Sequence, residues 1–133
     1  MTAGREIALF GGTFDPPHLA HVLAAASVLS ATDVAELWVL PVARHVLGKA
    51  PGAPFADRLE LCRRAFALFG ARVQVRDDEA RPGATGYTID RVEHLQERHP
   101  DMRFRLVIGT DLLHERHCWR AFDRLVELAP PIV

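Results

Sequence analysis

The fold is decided by the stretch Gly11-Gly12-Thr13-Phe14-Asp15-Pro16-Pro17-His18-Leu19-Ala20-His21. A short apolar run, Ile7–Phe10, precedes this stretch, and a longer apolar run, Leu19–Leu29, begins inside it. The first run predicts a buried strand and the second predicts a helix, with a glycine-containing turn between them. A strand, a turn and a helix start in this order present backbone N–H groups to a phosphate, which indicates a nucleotide-handling site.

Two histidines, His18 and His21, stand at the predicted helix start. Their spacing places both imidazoles on one face of the helix, one turn from each other. Imidazoles at a helix N-terminus can donate hydrogen bonds to phosphoryl oxygens, where the helix dipole also favours negative charge. The alternative is a helix cap beside a partly buried core histidine, but the preceding glycines favour a functional pair.

The composition is that of an ordinary globular domain. The chain has 133 residues, 49% of them hydrophobic and 25% charged, with a formal net charge of -1, so we expect one domain, 1–133. The balanced charge argues against a nucleic-acid partner. Apolar runs stay well short of the ~20 residues of a membrane span, and no signal peptide precedes the first strand. Two cysteines, Cys62 and Cys118, make no disulfide framework, so we expect a cytoplasmic location.

Strand and helix patterns alternate along the whole chain. The predicted strands are Ile7–Phe10, Glu36–Leu40, Arg72–Arg76, Phe104–Ile108 and a short Ile132-Val133. The predicted helices are Leu19–Ser30, Ala56–Phe69, a segment marked by Ile89, Val92 and Leu95, and Ala121–Leu128. This alternation predicts an α/β fold, a doubly wound Rossmann-like parallel sheet with order 3-2-1-4-5 and a short or incomplete last strand.

Such a sheet binds ligands where the strand order reverses, outside the carboxyl ends of the strands. With the order 3-2-1-4-5, the reversal lies between the first strand and the strand that ends at Ile108. Two turns meet there: the glycine turn, which we define as Gly11–Pro17, and Gly109-Thr110-Asp111. Topology therefore brings the histidine pair and Asp111 to one crevice.

The stretch from Gly11 to His21 resembles the signature of the nucleotidyltransferase superfamily of adenylyl- and cytidylyltransferases, whose motif is H/T-x-G-H. Further segments in matching order extend the resemblance over nearly the whole chain, and the chain is most similar to the bacterial nicotinate-nucleotide adenylyltransferases. These segments are Pro41–Lys49, Asp57-Arg58-Leu59, Gly86-Tyr87-Thr88-Ile89-Asp90, and Ile108-Gly109-Thr110-Asp111 followed by Trp119.

The resemblance implies transfer of AMP from ATP to nicotinate or nicotinamide mononucleotide, with release of pyrophosphate, in NAD biosynthesis. It implies Mg²⁺ as the ion that accompanies ATP, and ATP and a pyridine mononucleotide as partners. The residues that it implies in the chemistry at the phosphates are His18, His21 and Lys49. Those implied in ATP binding are Gly11, Gly12, Thr13, Phe14 and Asp111, and those implied in mononucleotide binding are Thr88 and Trp119.

Two departures from the family pattern keep alternatives open. Ala20 replaces the glycine between the histidines, which adds one methyl group in a helical conformation. The family's Ser/Thr-rich triphosphate-binding segment follows the fifth strand, whereas this chain reaches Val133 as that strand begins. We therefore also consider a phosphopantetheine-type transferase of the same superfamily, and a catalytically impaired nucleotide-binding module. A homodimer could cover the incomplete sheet edge.

Several other residues have two interpretations. Lys49 is the single lysine beside fifteen arginines, and its place in a loop favours a phosphate-binding role over chance. His114, His117 and Cys118 could bind zinc, but their spacing fits no familiar pattern and favours surface histidines, so we expect no bound metal. The acidic run Asp77-Asp78-Glu79 predicts a solvated loop, and Cys62 is expected in the core.

Overall fold

A five-stranded parallel sheet runs through the part of the chain that the computed structural model describes, residues 4–43, 52–109 and 120–133. The order is β3-β2-β1-β4-β5, as the sequence predicts. The strands are β1 (Glu6–Gly12), β2 (Glu36–Pro41), β3 (Val73–Val75), β4 (Arg103–Val107) and β5 (Pro131–Ile132). The last strand has two residues, which confirms the prediction of a short last strand.

Helices cover both faces of this sheet. They are α1 (Leu19–Ala31), α2 (Phe55–Ala65), α3 (Thr88–Arg98) and α4 (Phe122–Leu128), with short 3₁₀ segments at Ala67–Arg72 and Asp78–Ala80. Parallel pairing of β1 with both β2 and β4 places β1 at the centre, with Leu9 opposite Trp38 on one side and Leu106 on the other. None of the described helices is long and apolar enough to cross a membrane.

Each face of the sheet has its own apolar core. Side chains alternate along β1, so that Ile7 and Leu9 belong to one core and Ala8 to the other. The first core joins the sheet to α3 and α4 through Ile89, Val92, Leu95 and Leu125. The second core joins it to α1 and α2 through Ala25, Val28 and Cys62. Two buried faces explain why β1 and β2 are almost continuously apolar.

Cys62 is fully buried in the second core, as the sequence predicts. Burial raises the pKa of its thiol to about 11, against a smaller opposing effect of the nearby Arg58, so the thiol stays protonated and packs as a small apolar side chain. Helix α2 ends at Ala65, before the predicted end at Phe69. The chain continues as a 3₁₀ segment in which Gly70 has a φ of 60°, a left-handed conformation that glycine adopts most readily.

The interpretation of Asp77-Asp78-Glu79 as a solvated loop is wrong for Glu79, whereas Asp77 is exposed as predicted and Asp78 is half-buried. Glu79 is only 4% exposed, and its carboxylate forms ion pairs with Arg91 at 3.0 Å and Arg81 at 3.3 Å. Asp78 accepts hydrogen bonds from Arg76 at 2.7 and 3.3 Å. Polarity along the sequence predicts solvation, but Glu79 is buried because the nearby Arg81 and the more distant Arg91 neutralise its carboxylate.

Candidate active site at the carboxyl edge of the sheet

The glycine turn lies at the carboxyl edge of the sheet, between β1 and α1. Strand β1 ends at Gly12, and His18 immediately precedes α1 with extended backbone angles. Gly109 follows β4 at the same edge, because Leu9 pairs with Leu106 and each glycine lies three residues farther along its chain segment. The glycine turn and Gly109 therefore lie at the same edge of the sheet, as predicted. Thr110 and Asp111, which complete the second turn, lie outside the described residues.

The two histidine rings lie face to face. Their centroids are 3.9 Å apart and their planes are inclined by 27°. The backbone N–H of His18 donates to Nδ1 of His21 at 3.0 Å, and the backbone N–H of His21 donates to the carbonyl of His18 at 3.0 Å. Because Nδ1 of His21 accepts, the neutral ring carries its proton on Nε2. This hydrogen bond from the N–H of His18 to His21, which we call the cap, therefore fixes the tautomer that presents Nε2–H as a donor.

His21 is held in a neutral state by its surroundings. Burial lowers the pKa of His21, and the neighbouring charge of His18 lowers it further. Its ring packs on Phe14, with centroids 4.7 Å apart, and on Phe10 at 6.0 Å. An imidazole with a lowered pKa donates a hydrogen bond without titrating at neutral pH. At the N-terminus of α1, such a donor suits a phosphoryl oxygen.

The buried ring of Phe14 packs against the ring of His21 and helps to hold it in place. Its side chain is 2% exposed and packs edge-on against Phe10 at 5.5 Å and Phe66 at 6.2 Å. Its φ of 51° turns the chain at the bottom of the glycine turn, a conformation that is rare for a bulky residue. Any contribution of Phe14 to nucleotide binding would come through its backbone, and this role stays a prediction.

Hydrogen bonds to α2 and to the loop before it hold the glycine turn in place. The carbonyl of Thr13 accepts a hydrogen bond from Nη1 of Arg58 at 2.8 Å. The carboxylate of Asp15 accepts from the backbone N–H of Gly52 at 2.5 Å and of Ala53 at 3.2 Å. These contacts fix the turn to the loop that precedes α2. A turn that is fixed at Thr13 and Asp15 can present its amides without rearrangement.

Two buried arginines at this edge were not predicted as site residues. Arg58 is 1% exposed and Arg91 is 4% exposed. A signal was present, since each lies on the apolar stripe of an amphipathic helix: Arg58 is four residues before Cys62, and Arg91 is four before Leu95. An arginine within a buried stripe indicates a specific polar partner, which the sequence does not identify.

The segment predicted to bind the mononucleotide begins α3. Thr88 is the first residue of that helix and is partly exposed. The preceding residue, Tyr87, packs against the first core, and the guanidinium of Arg120 lies 5.0 Å from the centroid of its ring. Arg120 therefore lies beside the start of α3, and the roles predicted for Thr88 and Trp119 stay predictions.

The remaining predicted residues cannot be placed. Lys49, Asp111 and Trp119 lie outside the described residues, as do His114, His117 and Cys118. Within residues 4–43, 52–109 and 120–133, no group of three His, Cys, Asp or Glu side chains is arranged to hold a metal ion.

Known proteins resemble this chain in both sequence and fold. A family model described as cytidylyltransferase-like matches residues 9–133. A protein of Anaeromyxobacter dehalogenans strain 2CP-1, named nicotinate-nucleotide adenylyltransferase, is 48% identical over 135 residues, which cover 100% of this chain and 72% of that protein. A Myxococcus xanthus protein of the same name is 37% identical and covers 100% of this chain and 70% of its own length.

Solved structures share the architecture at lower sequence identity. The nicotinic acid mononucleotide adenylyltransferase of Plasmodium falciparum, complexed with NaAD, superposes with a TM-score of 0.76 and 20% identity, covering 92% of this chain and 60% of that one. A Vibrio parahaemolyticus structure described as a nicotinate-nucleotide adenylyltransferase has a TM-score of 0.75 and 21% identity, covering 96% and 76%.

Proposed function

Because the chain belongs to the cytidylyltransferase-like family, among the nicotinate-nucleotide adenylyltransferases, we propose that it transfers AMP from ATP to nicotinate mononucleotide and releases pyrophosphate. The observation that carries the proposal is the neutral His21, whose cap leaves Nε2–H free to donate beside His18 at the start of α1. This pair lies where a doubly wound sheet binds its ligand.

The reaction needs positioning and charge stabilisation more than proton transfer. An oxygen of the 5′-phosphate of the mononucleotide attacks the α-phosphorus of ATP and forms a new P–O bond. The bond from the α-phosphorus to the bridging oxygen breaks in line, and pyrophosphate leaves with the electron pair. Since the nucleophile is already an anion, no protein base is required.

The residues at the carboxyl edge fit these needs. His18 and His21 donate to oxygens on the phosphates, where charge develops as the bridging bond breaks. The backbone of Gly12 and Thr13 and the N-terminus of α1 add partial positive charge at the same place. We further propose that Lys49 contributes positive charge for the phosphates and that Asp111 takes part in ATP binding, as the family resemblance implies.

Mg²⁺ enters this scheme with its nucleotide. The triphosphate of ATP offers the oxygen ligands that Mg²⁺ prefers, so the ion reaches the site as part of the MgATP substrate. When bound, it neutralises charge on the leaving pyrophosphate.

The position of Arg120 beside Tyr87 supports nicotinate mononucleotide rather than nicotinamide mononucleotide as the substrate. Nicotinate mononucleotide carries a carboxylate that nicotinamide mononucleotide lacks. The guanidinium of Arg120 lies 5.0 Å from the ring centroid of Tyr87, which directly precedes Thr88, and a guanidinium favours a carboxylate over a neutral amide. We therefore propose nicotinate mononucleotide as the preferred acceptor.

A pyrophosphate-release assay with ATP, Mg²⁺ and nicotinate mononucleotide tests this function. We expect product with the wild-type chain and a loss of about 10²-fold or more with His18→Ala. His94→Ala, which removes a histidine on α3 away from this edge, is the matched control and should leave turnover unchanged. Absence of product above the His18→Ala background would contradict the proposal.

The same preparation separates the two alternatives. A thermal-shift panel compares nicotinate mononucleotide with phosphopantetheine at equal concentrations, because the ligand that binds more tightly stabilises the protein more. A shift with phosphopantetheine alone would favour the other transferase. Calorimetric binding of ATP without turnover would favour a non-catalytic nucleotide-binding module.

A further inference from the structure

Arg58 joins three loops at the carboxyl edge of the sheet. Its Nη1 donates to the carbonyl of Thr13 at 2.8 Å and to the carbonyl of Val42 at 2.7 Å, and its Nε donates to the carbonyl of Ala53 at 3.0 Å. These acceptors lie in the glycine turn, in the segment after β2 and in the loop before α2. One side chain from α2 therefore fixes the relative positions of all three.

The charge of this arginine has no acidic partner in the described part of the chain. Its side chain is 1% exposed, yet none of the ion pairs among those residues includes it. The carboxylate of Asp15 accepts a hydrogen bond from the N–H of Ala53, whose carbonyl accepts from Arg58, but it does not pair with the guanidinium itself. Arg91 at the same edge differs, because Glu79 neutralises it at 3.0 Å.

Among the described residues this buried cation contacts three carbonyl oxygens and the ring of Phe55, whose centroid lies 5.5 Å from its guanidinium carbon, and a buried cation without a counter-charge is costly to maintain. Here it lies directly behind Thr13, one hydrogen bond from the turn that faces the crevice. In this low-dielectric position its field reaches the turn with little screening. An anion bound by the turn would therefore gain from this charge and would balance it.

We propose that Arg58 is a positioning residue for the glycine turn, and that the polyphosphate of the nucleotide supplies negative charge to its buried guanidinium, which no carboxylate of residues 4–43, 52–109 and 120–133 pairs with. The proposal rests on the proposed function, since it places the polyphosphate of ATP at this turn. It assigns Arg58 an effect on polyphosphate binding that a purely structural arginine would not have.

The test compares Arg58→Met and Arg58→Lys with Arg72→Met as the matched control. Arg72 also donates to two backbone carbonyls, those of Ala35 at 3.2 Å and Val34 at 3.2 Å, but at the opposite edge of the sheet. Calorimetry with inorganic tripolyphosphate gives the dissociation constant, and steady-state kinetics give KM for ATP and for the mononucleotide. Thermal unfolding without ligand reports stability separately.

We expect Arg58→Met to raise the dissociation constant of tripolyphosphate and KM for ATP about tenfold or more, with KM for the mononucleotide within about twofold. Arg58→Lys retains the charge but cannot form all three carbonyl bonds, so it should give an intermediate increase. Arg72→Met should change the unfolding temperature but not tripolyphosphate binding.

A folded Arg58→Met variant that binds tripolyphosphate like the wild type would overturn the proposal. If that variant does not fold, Arg58→Lys decides, and unchanged tripolyphosphate binding there would also overturn it. Failure of the proposed function gives a different result, because a wild-type chain without transferase turnover still reports the effect of Arg58 on tripolyphosphate.

Discussion

The guanidinium of Arg91 occupies the space beside Gly11 where a side chain would stand. A β-carbon on Gly11 would lie 2.4 Å from Nη1 of Arg91. Arg91 is buried and paired with Glu79 at 3.0 Å, so it cannot move to solvent without breaking that pair. The glycine turn therefore begins at a residue that must lack a side chain because a buried ion pair packs against it.

Replacement of Gly11 by alanine should destabilise the fold by about 1–3 kcal/mol, since the new methyl group overpacks a buried site. Urea denaturation measures this change. Gly109→Ala is the control, because no atom of the described residues lies within 4 Å of a β-carbon built there, and we expect a change of about 0.5 kcal/mol or less. Equal effects of the two substitutions would show that Arg91 does not constrain Gly11.

Glu79→Gln should lower the free energy of unfolding by about 3 kcal/mol, because it leaves the buried Arg91 without its counter-charge. The matched control is Glu93→Gln. Glu93 pairs with Arg124 at 3.2 Å, but both side chains are well exposed, and an exposed pair contributes about 0–1 kcal/mol. Denaturation of both variants measures the difference, and a Glu79 variant no less stable than the Glu93 variant would contradict the burial argument.

Two substitutions of His21 distinguish the role of Nδ1 as an acceptor from the role of Nε2 as a donor. His21→Asn places an oxygen near the position of Nδ1, so it retains the acceptor for the N–H of His18 but loses the Nε2 donor. It should unfold like the wild type while turnover falls about 10²–10³-fold.

His21→Gln retains a donor near Nε2 and loses the cap. It should therefore lose about 1 kcal/mol of stability, with a smaller loss of activity than His21→Asn. Thermal unfolding and the pyrophosphate assay measure these effects, and the reverse pattern would show that His21 acts mainly as a cap.

The lowered pKa of His21 predicts how stability depends on pH. Between the folded-state pKa and the ordinary value of 6.5, the unfolded chain binds more protons than the folded one, so stability falls as the pH falls through this window. The contribution is fully present above pH 6.5. Urea denaturation at pH 7.5 and pH 5.5 should show a larger loss for the wild type than for His21→Asn, which has no titrating group there; parallel losses would argue against the shift.

Arg120→Gln should change the choice between acceptors. We expect kcat/KM for nicotinate mononucleotide to fall about tenfold while kcat/KM for nicotinamide mononucleotide changes little, because only the acid offers a carboxylate. Arg124→Gln on the same segment, whose partner is Glu93, is the control and should leave the ratio unchanged. If the ratio of the two kcat/KM values is also unchanged in Arg120→Gln, Arg120 does not contribute to the choice between the two acceptors.

The sheet order could be predicted because the chain repeats one simple pattern. Apolar runs alternate with amphipathic segments, and right-handed crossovers then leave few topologies. The same pattern placed the glycine turn and the segment after β4 at one edge, which the pairing of Leu9 with Leu106 confirms. The burial of Cys62 followed from its place on the apolar stripe of α2.

The buried charges could not be predicted in the same way. Arg58 bonds to Thr13, 45 residues earlier, and Arg91 to Glu79, 12 residues earlier. Each side chain is polar, so its burial depends on a partner that only the fold supplies. The cap of His21 on His18 is local, yet its acceptor nitrogen and tautomer follow from ring orientation, which residue spacing does not determine.

A crystal structure with a non-hydrolysable ATP analogue tests the central claim most directly. We expect the polyphosphate at the N-terminus of α1, with its oxygens within hydrogen-bonding distance of Nε2 of His21, of the His18 ring and of the backbone amides of the glycine turn. An analogue bound elsewhere, with both imidazoles free of phosphate contacts, would contradict the account.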